Sequence, residues 1–373
     1  MPTLLAASLI FLVLASILFL TRFLRRTPPT PTSTPQKLTS RPSTQLPSEI
    51  VSLRVYPIKS CRGFEIPSTK QLLSGLDIDR RWMIADSKTN VFLTIRQIPE
   101  MTLVKTGLGA DGKNLIISVP AAEGENEKEG EGQSVQVPSH PDEAWLKDNT
   151  TLVSGVKIWD NDTDGYIYNP AVGVNQLLSN FLKRDVVLVY KGPTPRVLKG
   201  NGDPRLLGRV QDTGFPDVLP VLIASQASID ELNTRLRSQG HEEITIERFR
   251  PNIIIKGETG KPWIEDSWKT VRISSSSGLG RQEDEKKEQE GITFDIVARC
   301  GRCQVPNVDP VTAEKHKTQP WDTMMKYRRV DEGLKYKPCF GMLGVPRGEG
   351  AISLGDRFEV LEETDGHFYV KGF

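Results

Sequence analysis

Short stretches in which apolar and polar residues alternate recur along most of this 373-residue chain. In the first, Val51, Leu53 and Val55 are separated by Ser52 and Arg54. This period of two is typical of a half-buried strand. Further strand-like runs are found at residues 82–84, 91–95, 114–119, 135–137, 156–159, 186–190, 219–224, 252–255, 270–273, 292–298, 340–344 and 357–361. The pattern predicts a fold in which strands dominate.

Two segments have the period of an amphipathic helix instead. In the first, the apolar residues between Val174 and Leu182 fall on one helical face. In the second, Ser228 and Glu231 are spaced as a capping box at a helix start, and Gly240 follows as a stop signal. Strands with a minority of helices predict an α+β fold.

A polar, glycine-rich stretch from residue 191 to residue 213 divides the predicted elements into two groups. A chain of this length has enough residues for two domains, each with its own core. We therefore predict a mostly β first domain at 49–192 and a second β-rich domain at 193–364. A serine-rich and then charged stretch at about 274–291 is predicted to be a disordered insert, because its residues can bury little apolar surface.

The N-terminus has the features of a membrane anchor. Leu4 to Leu20 contains no charged residue and would be about 26 Å long as a helix. Arg22, Arg25 and Arg26 follow this run, whereas a cleaved signal peptide has its positive charges in front. Because positive flanks stay in the cytosol, we predict a single transmembrane helix within residues 1–26 and a cytosol-facing protein. The proline-rich residues 27–48 are predicted to be an extended linker.

Composition excludes several classes of protein. Lys and Arg number 48 and Asp and Glu number 47, so the net charge of +1 gives no global field that would attract nucleic acid. The four cysteines have no framework spacing, which argues against a disulfide scaffold and fits a reducing compartment. The four histidines are scattered and predict no multi-histidine metal site.

Cys300 and Cys303 are the strongest chemical signal in the chain. They follow a predicted strand and are accompanied by Arg299 and Arg302, and neighbouring guanidinium groups favour the thiolate form of cysteine. Pro306 prevents a long helix from following, so the pair does not have the thioredoxin arrangement. The other two cysteines are isolated, which leaves too few ligands for a four-thiolate zinc site. We expect a single reactive or metal-bound thiolate in an electropositive pocket.

Four short motifs follow one another along the chain. They are Tyr56-Pro57-Ile58-Lys59-Ser60-Cys61, Asp79-Arg80-Arg81-Trp82, Arg248-Phe249-Arg250-Pro251-Asn252, and Cys300-Gly301-Arg302-Cys303 with Val308-Asp309-Pro310. In this order and spacing they resemble the MOSC family, whose domain also forms the C-terminal part of molybdenum cofactor sulfurases, and within it the amidoxime-reducing members. The resemblance runs from about residue 50 to residue 361. It implies an N-terminal MOSC-type β-barrel domain followed by a β-rich MOSC domain.

The resemblance also implies a Mo-molybdopterin cofactor, with Cys303 as the metal ligand and the catalytic cysteine. The residues that it assigns to cofactor binding are Lys59, Ser60, Arg80, Arg250, Asn252, Arg302 and Cys303. Side-chain chemistry agrees, because a thiolate suits a soft metal and arginine suits phosphate and pterin edges. This chain departs from the family in having Val218 and Leu219 where hydroxyl residues stand, and Gly301 where serine is common.

By the same resemblance, the activity is the reduction of N-hydroxylated compounds such as amidoximes and hydroxylamines. The sequence contains no motif for NADH or haem, so electrons are expected from a b-type haem cytochrome and its NADH-dependent flavin reductase. The implied location is the outer mitochondrial membrane, with the endoplasmic reticulum as the alternative. The anchor and linker stand where true sulfurases carry a pyridoxal-phosphate domain, so independence of pyridoxal phosphate is expected.

Other interpretations of the same residues stay open. The chain could be a cofactor carrier or a sulfur relay that uses Cys300 and Cys303, or a membrane tether whose cofactor site has decayed. Cys300 could be a packing residue. Arg250 could pair with an internal carboxylate such as Glu247 instead of a cofactor. Asp309, next to a proline, has the pattern of a turn residue.

Overall fold

Strands make up most of the regular structure in this computed structural model, which describes residues 39–121, 132–276 and 291–372. The strands are β1 (Arg41–Pro42), β2 (Ser48–Val55), β3 (Phe64–Glu65), β4 (Ser68–Leu72), β5 (Gly75–Leu76), β6 (Trp82–Asp86), β7 (Lys105–Leu108), β8 (Asn114–Ser118), β9 (Ser134–Pro138), β10 (Thr150–Ile158), β11 (Asn161–Tyr168), β12 (Val186–Lys191), β13 (Arg196–Val197), β14 (Asp212–Thr213), β15 (Val221–Ser225), β16 (Ile253–Ile255), β17 (Trp268–Ser274), β18 (Ile292–Gly301), β19 (Cys339–Pro346), β20 (Gly350–Ser353) and β21 (Arg357–Glu363).

Helices are short and fewer. The α-helices are α1 (Glu143–Asn149), α2 (Val174–Leu182), α3 (Pro204–Leu207), α4 (Gln226–Ser238) and α5 (Trp321–Tyr327). The 3₁₀ turns are Pro99–Leu103, Pro170–Val172, Gly200–Gly202, Ile246–Phe249, Ile264–Ser267, Val305–Asn307 and Glu332–Leu334. Within the described ranges, no helix has both the length and the apolar character that crossing a membrane requires. The predicted anchor at residues 1–26 lies outside those ranges.

Seven strands of the described part of the chain close into a barrel. They pair in the order β21, β17, β18, β19, β15, β16 and β2, and β2 then pairs with β21. Ser48 opposite Phe358 and Glu49 opposite Arg357 complete the circle. Neighbours are antiparallel except β15 and β16. One barrel strand, β2, therefore comes from the first half of the chain.

Apolar side chains explain why these strands form the core. All eight residues of β19 are buried, which is typical of a strand covered on both faces. In β2, Leu53 and Val55 are buried as the alternation predicts, but Ile50 is buried and Val51 is 40% exposed. The reason is a register shift in the pairing with β16 between Ile254 and Ile255, because an extra residue moves the side chains before it to the opposite face.

Other strands form smaller sheets. β10, β11, β12 and β6 form one sheet, and β7, β8 and β9 form another. In a third, β20 of the second half pairs with β4 of the first half, with Ile352 opposite Thr69. From Thr39 onwards the chain forms one compact unit. Strands from both halves of the chain pair with each other in the same sheets. The boundary at residues 192 and 193 stays a prediction.

Most sequence-predicted elements are confirmed, with two differences. Residues 91–95 do not form a strand, and only Val91 and Phe92 make isolated bridges. The predicted capping box is wrong, because α4 begins earlier, with Ser225 at its N-cap, and Ser228 lies inside the helix. The Ser228 hydroxyl instead accepts a hydrogen bond from the backbone of Trp263 at 2.9 Å.

The predicted linker at residues 27–48 overlaps the folded part of the protein. β1 pairs with β21 through Arg41 and Glu363, and the Gln45 side chain accepts a hydrogen bond from Trp268 Nε1 at 3.0 Å. Extended proline-rich sequence therefore continues into the fold as an edge strand, a position that proline tolerates. Most of the predicted insert at about 274–291 lies outside the described residues.

Candidate active site

All of the sequence-predicted site residues line the same pocket, although they come from four separate segments of the chain. The lining includes Lys59, Ser60, Arg80, Arg250, Asn252, Arg302 and Cys303, together with Cys300. The sequence analysis missed several other lining residues, among them Arg96, Asp217, Leu334, Lys337 and Tyr369. The fold thus brings the four motifs together and adds groups that no local pattern had indicated.

Asn252 is a fixed point of the pocket wall and is almost completely buried, with 1% of its surface exposed. Its Oδ1 accepts hydrogen bonds from Arg80 Nη1 and from the backbone N–H of Leu222, each at 3.2 Å. Its Nδ2 donates to the backbone carbonyl of Arg54 at 3.2 Å. A buried amide with these partners is held rigidly, so Asn252 orients the Arg80 guanidinium.

Arg80 and Arg250 both stack on Tyr56. Their guanidinium carbons lie 4.7 Å and 4.3 Å from the ring centroid. Burial, and then the charge of Arg80, lowers the pKa of Arg250 to about 10. The Nη2 atom of Arg250 is buried and has no hydrogen-bond partner within residues 39–121, 132–276 and 291–372. A buried cationic nitrogen without a partner is costly, which makes it a natural contact for an anionic ligand.

The structure does not pair Arg250 with Glu247, which was the alternative to a cofactor. Glu247 contacts Arg62 at 3.3 Å and Arg54 at 3.7 Å instead.

Asp309, predicted to be a turn residue, accepts a hydrogen bond from the backbone N–H of Val311 at 2.7 Å. That contact confirms the turn assignment.

Three of the predicted site residues have backbone angles in the left-handed region. The φ values are 71° for Ser60, 48° for Arg80 and 59° for Arg250. Such angles are uncommon for residues other than glycine and cost of order 1 kcal/mol or more each. They persist where the surroundings hold them, and here they turn the side chains of three motifs towards the same pocket.

Lys59 is buried, with 6% of its surface exposed. It donates a hydrogen bond to the Phe215 carbonyl at 3.0 Å and forms an ion pair with Asp217. Burial lowers the pKa of Lys59 to about 8, and Asp217 opposes that change. For Asp217, burial acts to raise the pKa, but Lys59 and Arg96 outweigh it and the pKa is lowered. The pair therefore stays ionised at neutral pH on the pocket wall.

Cys303 receives its hydrogen bond from a residue that the sequence analysis did not single out. Arg96 Nε donates to Cys303 Sγ at 3.4 Å. The guanidinium of Arg96 is stacked 4.5 Å from the Trp159 ring and lies 3.6 Å from Asp217. Arg96 directly follows residues 91–95, for which the sequence predicts a strand. An isolated arginine there carries no signal of its own.

The sequence leads us to expect both Arg299 and Arg302 beside the thiols of the cysteine pair, and this is wrong for Arg299. Arg299 points elsewhere and donates to the backbone carbonyls of Val330 at 3.1 Å and His367 at 3.2 Å. Arg302 Nη1 donates to Cys300 Sγ at 2.9 Å. Burial nevertheless raises the pKa of Cys300, and Arg302 only partly offsets it. Cys300 is thus a half-buried thiol with a raised pKa, which favours a packing role.

Gly301 has a steric consequence in this pocket. A Cβ atom built on it would lie 2.5 Å from Leu334 Cδ1, so serine at this position would require the leucine side chain to move. Within the described ranges, no group of three or more His, Cys, Asp or Glu side chains is placed to hold a metal ion.

A closed barrel with a partly exposed cysteine and several arginines around one pocket defines the class: a two-part β-barrel protein with an electropositive, thiol-lined site. The chain belongs to the MOSC domain family. The MOSC domain model matches residues 211–359, and the MOSC N-terminal beta barrel domain model matches residues 48–185. The resemblance that the four motifs predict is confirmed.

The relatives fall into two groups. The chain is 29% identical over 321 residues to a molybdenum cofactor sulfurase of Arabidopsis thaliana, covering 80% of this chain but 34% of the relative. It is 25% identical over 313 residues to mitochondrial amidoxime-reducing component 1 of Danio rerio, covering 82% and 83%. It is 26% identical over 322 residues to the Homo sapiens protein of that name, covering 84% and 82%. The chain thus spans about a third of the sulfurases and most of the amidoxime-reducing components.

Proposed function

We propose that this protein is a molybdenum-cofactor oxidoreductase that reduces N-hydroxylated compounds such as amidoximes and hydroxylamines. One observation carries the proposal: Cys303, which accepts a hydrogen bond from Arg96, lines the same pocket as the buried and unpartnered Nη2 of Arg250. A sulfur donor beside uncompensated cationic nitrogens suits an anionic cofactor that carries a soft metal. The coverage of the amidoxime-reducing relatives over most of their length supports this choice.

The residues present fit Mo-molybdopterin. Cys303 would supply the protein ligand to molybdenum. Arg250 and Arg302, whose Nε is also buried without a partner among the described residues, would bind its anionic groups. Lys59, Ser60, Arg80 and Asn252 would complete the cradle as the motifs imply. When bound, the cofactor would supply two-electron redox chemistry for removing oxygen from nitrogen.

Side chains of the protein itself would hold a proton and orient the cysteine. Lys59 is protonated at neutral pH because its pKa is about 8, so it holds a proton at the pocket wall. Asp217 keeps that ammonium in place. A proton held there is available to the leaving nitrogen group. Arg96 orients Cys303 through its hydrogen bond, and Asp217 in turn holds Arg96.

Electron supply and location are part of the proposal. We infer that electrons come from a b-type haem cytochrome and its NADH-dependent flavin reductase. We also propose that residues 1–26 anchor the protein with its catalytic part facing the cytosol. The names of the amidoxime-reducing relatives favour a mitochondrial location, with the endoplasmic reticulum as the alternative.

The test uses protein lacking residues 1–38, because the compact unit begins at Thr39. Bound molybdenum and pterin are assayed first. The holoprotein is then mixed with NADH, reductase, cytochrome and benzamidoxime, and benzamidine and bound molybdenum are followed together. Many turnovers with metal retained are expected. Less than one equivalent of benzamidine, with transfer of cofactor to an acceptor protein, would contradict the reductase.

A cofactor carrier or sulfur relay is the second candidate, favoured by the similarity to sulfurases. The raised pKa of Cys300 disfavours a relay between two thiolates. Mass spectrometry after incubation with a persulfide donor distinguishes the two functions. A relay predicts a persulfide on Cys300 or Cys303 that passes to an acceptor.

A further inference from the structure

Residues 367–372 run beside the pocket, and Tyr369 contributes to its lining. Neither family model reaches this stretch, since the second of them ends at residue 359. The ring of Tyr369 packs against an apolar cluster of buried and half-buried residues. That cluster includes Leu198, Leu219, Leu222, Leu343 and Cys300. A stretch beyond the matched domains therefore forms one wall of the site described above.

Three side chains of the surrounding fold hold the backbone of this stretch. Arg299 donates to the His367 carbonyl at 3.2 Å. Asn201 donates to the Phe368 carbonyl at 2.9 Å and accepts from the Val370 N–H at 2.7 Å. Asp331 accepts from the Tyr369 N–H at 2.9 Å. Four consecutive residues are thus fixed by groups outside the stretch, which leaves Tyr369 little freedom to move.

Close packing against glycine fixes the same stretch. A Cβ atom on Gly333 would lie 2.3 Å from the Tyr369 carbonyl oxygen, and one on Gly200 would lie 2.4 Å from the Val370 carbonyl oxygen. Both contacts are with backbone atoms, which have little room to shift. The fold therefore accommodates this stretch by having no side chain at either position.

The family departure at Val218 and Leu219 belongs to the same wall. Leu219 packs in the cluster with Tyr369, and a Cβ atom on Gly372 would lie 3.3 Å from Val218 Cγ1. Apolar residues stand here where the resemblance leads us to expect hydroxyl groups. Burial raises the pKa of Tyr369, with the nearby Cys300 and Asp217 adding to the shift. Tyr369 thus lies in the electrostatic neighbourhood of the pocket's reactive groups.

We propose that Tyr369 is a specificity-determining residue whose ring limits the size of the compound that reaches Cys303. The proposal rests on the proposed function, because it concerns the substrate of that site. An aromatic side chain fills a large volume, so removing it enlarges the pocket beside Cys300. Bulky N-hydroxylated substrates should gain from the change, whereas small ones should not.

The experiment compares Tyr369→Ala with Tyr369→Phe, which keeps the ring, and with Tyr336→Ala as a matched control. Tyr336 is 83% exposed and does not line the pocket. The holoenzymes are assayed with N-hydroxyurea, benzamidoxime and a naphthyl amidoxime. We expect kcat/KM for the naphthyl compound to rise on the order of tenfold in Tyr369→Ala, mainly through KM, with no change for N-hydroxyurea. Tyr369→Phe and Tyr336→Ala should match the wild type.

A second measurement does not depend on turnover. Cofactor-free protein is treated with iodoacetamide or with pyrenyl maleimide, and labelling of the Cys303 peptide is followed by mass spectrometry. Tyr369→Ala should accelerate labelling by the bulky reagent several-fold and leave the small reagent unaffected. If Tyr369→Ala folds poorly, Tyr369→Leu preserves apolar packing, and Asn201→Ala releases the stretch without altering the ring.

The outcomes separate the two proposals. Unchanged size selectivity in every Tyr369 variant of an active enzyme overturns the specificity role, whatever the labelling shows. A wild-type holoprotein that reduces no N-hydroxylated compound overturns the proposed function instead. In that case, unchanged labelling of Cys303 by the bulky reagent would also show that Tyr369 does not limit access.

Discussion

Arg96 Nε donates a hydrogen bond to Cys303 Sγ, and the two residues are 207 positions apart in the chain. The first half of the protein thus supports the cysteine that the second half provides. Groups that surround a metal ligand commonly tune it as strongly as the ligand set itself. Asp217 and the Trp159 ring hold Arg96 in turn.

Replacing Arg96 with methionine should lower molybdenum retention or turnover by roughly tenfold or more, as for other groups that support a metal ligand. Metal analysis after gel filtration and the benzamidoxime assay measure the two effects. Arg205→Met is the control, because that side chain is 88% exposed and pairs with Asp203. Equal loss in both variants would mean that Arg96 has no specific relation to Cys303.

Replacing Cys303 with serine should abolish molybdenum binding, because a hydroxyl is a poor ligand for a soft metal. The melting temperature should change little, since the side chain is partly exposed. Cys300→Ser should keep most of the metal, because the Cys300 thiol has a raised pKa and already accepts a hydrogen bond from Arg302. Wild-type metal content in Cys303→Ser would show that the ligand assignment is wrong.

Replacing Arg250 with methionine should lower cofactor content while leaving cofactor-free protein as stable as before, or more stable. The reason is that the variant removes a buried guanidinium nitrogen that lacks a partner among the described residues. Arg272→Met is the contrast, because Arg272 pairs with Glu359 at 2.8 Å in the barrel. It should destabilise the protein by about 1–3 kcal/mol without changing cofactor content. Denaturant unfolding measures the stability of each variant, and pterin analysis measures its cofactor content. A strongly destabilised cofactor-free Arg250→Met would refute the prediction for Arg250.

Ionisation of Glu265 should make the folded protein less stable as the pH rises. It is completely buried, and burial raises its pKa from 4.5 to about 7. The folded state therefore binds the proton more tightly than the unfolded state. The resulting stabilisation is complete below pH 4.5 and is lost as the pH rises to about 7.

Glu265→Gln removes this pH-dependent contribution to the free energy of unfolding. Relative to the wild type, its free energy of unfolding should increase by up to about 3 kcal/mol between pH 4.5 and pH 8. Urea unfolding at a series of pH values measures the difference, with Glu243→Gln as an exposed control. A constant difference across this range would show that Glu265 titrates as an ordinary glutamate.

The sequence predicts those parts of the site that are encoded locally. Lys59, Arg80, Arg250 and Cys303 stand in compact motifs, and each is found at the same pocket. Arg96 could not be found this way, because its relation to Cys303 depends on how distant segments pack rather than on neighbours in the sequence. The same holds for Tyr369, which reaches the pocket through backbone contacts with Asn201 and Asp331.

Some predictions about details of the fold were wrong for a related reason. Alternation identified β2 correctly, yet it predicted that Val51 would be buried, whereas Ile50 is. A bulge depends on the partner strand, and the pattern of a single strand carries no information about it. Ser228 has the spacing of a helix cap but bonds to Trp263 instead, because a distant backbone N–H competes for its hydroxyl.

The closing of the barrel by β2 and β21 has a consequence for how the protein is made. Ser48 pairs with Phe358, so synthesis has to pass residue 358 before β2 can pair with β21. Until then the open edge of β2 is available to other strands, and contacts so distant in sequence form slowly. Newly made chains should therefore depend on chaperones during that interval. Cutting the gene between the two family domains should leave each fragment with an unpaired edge.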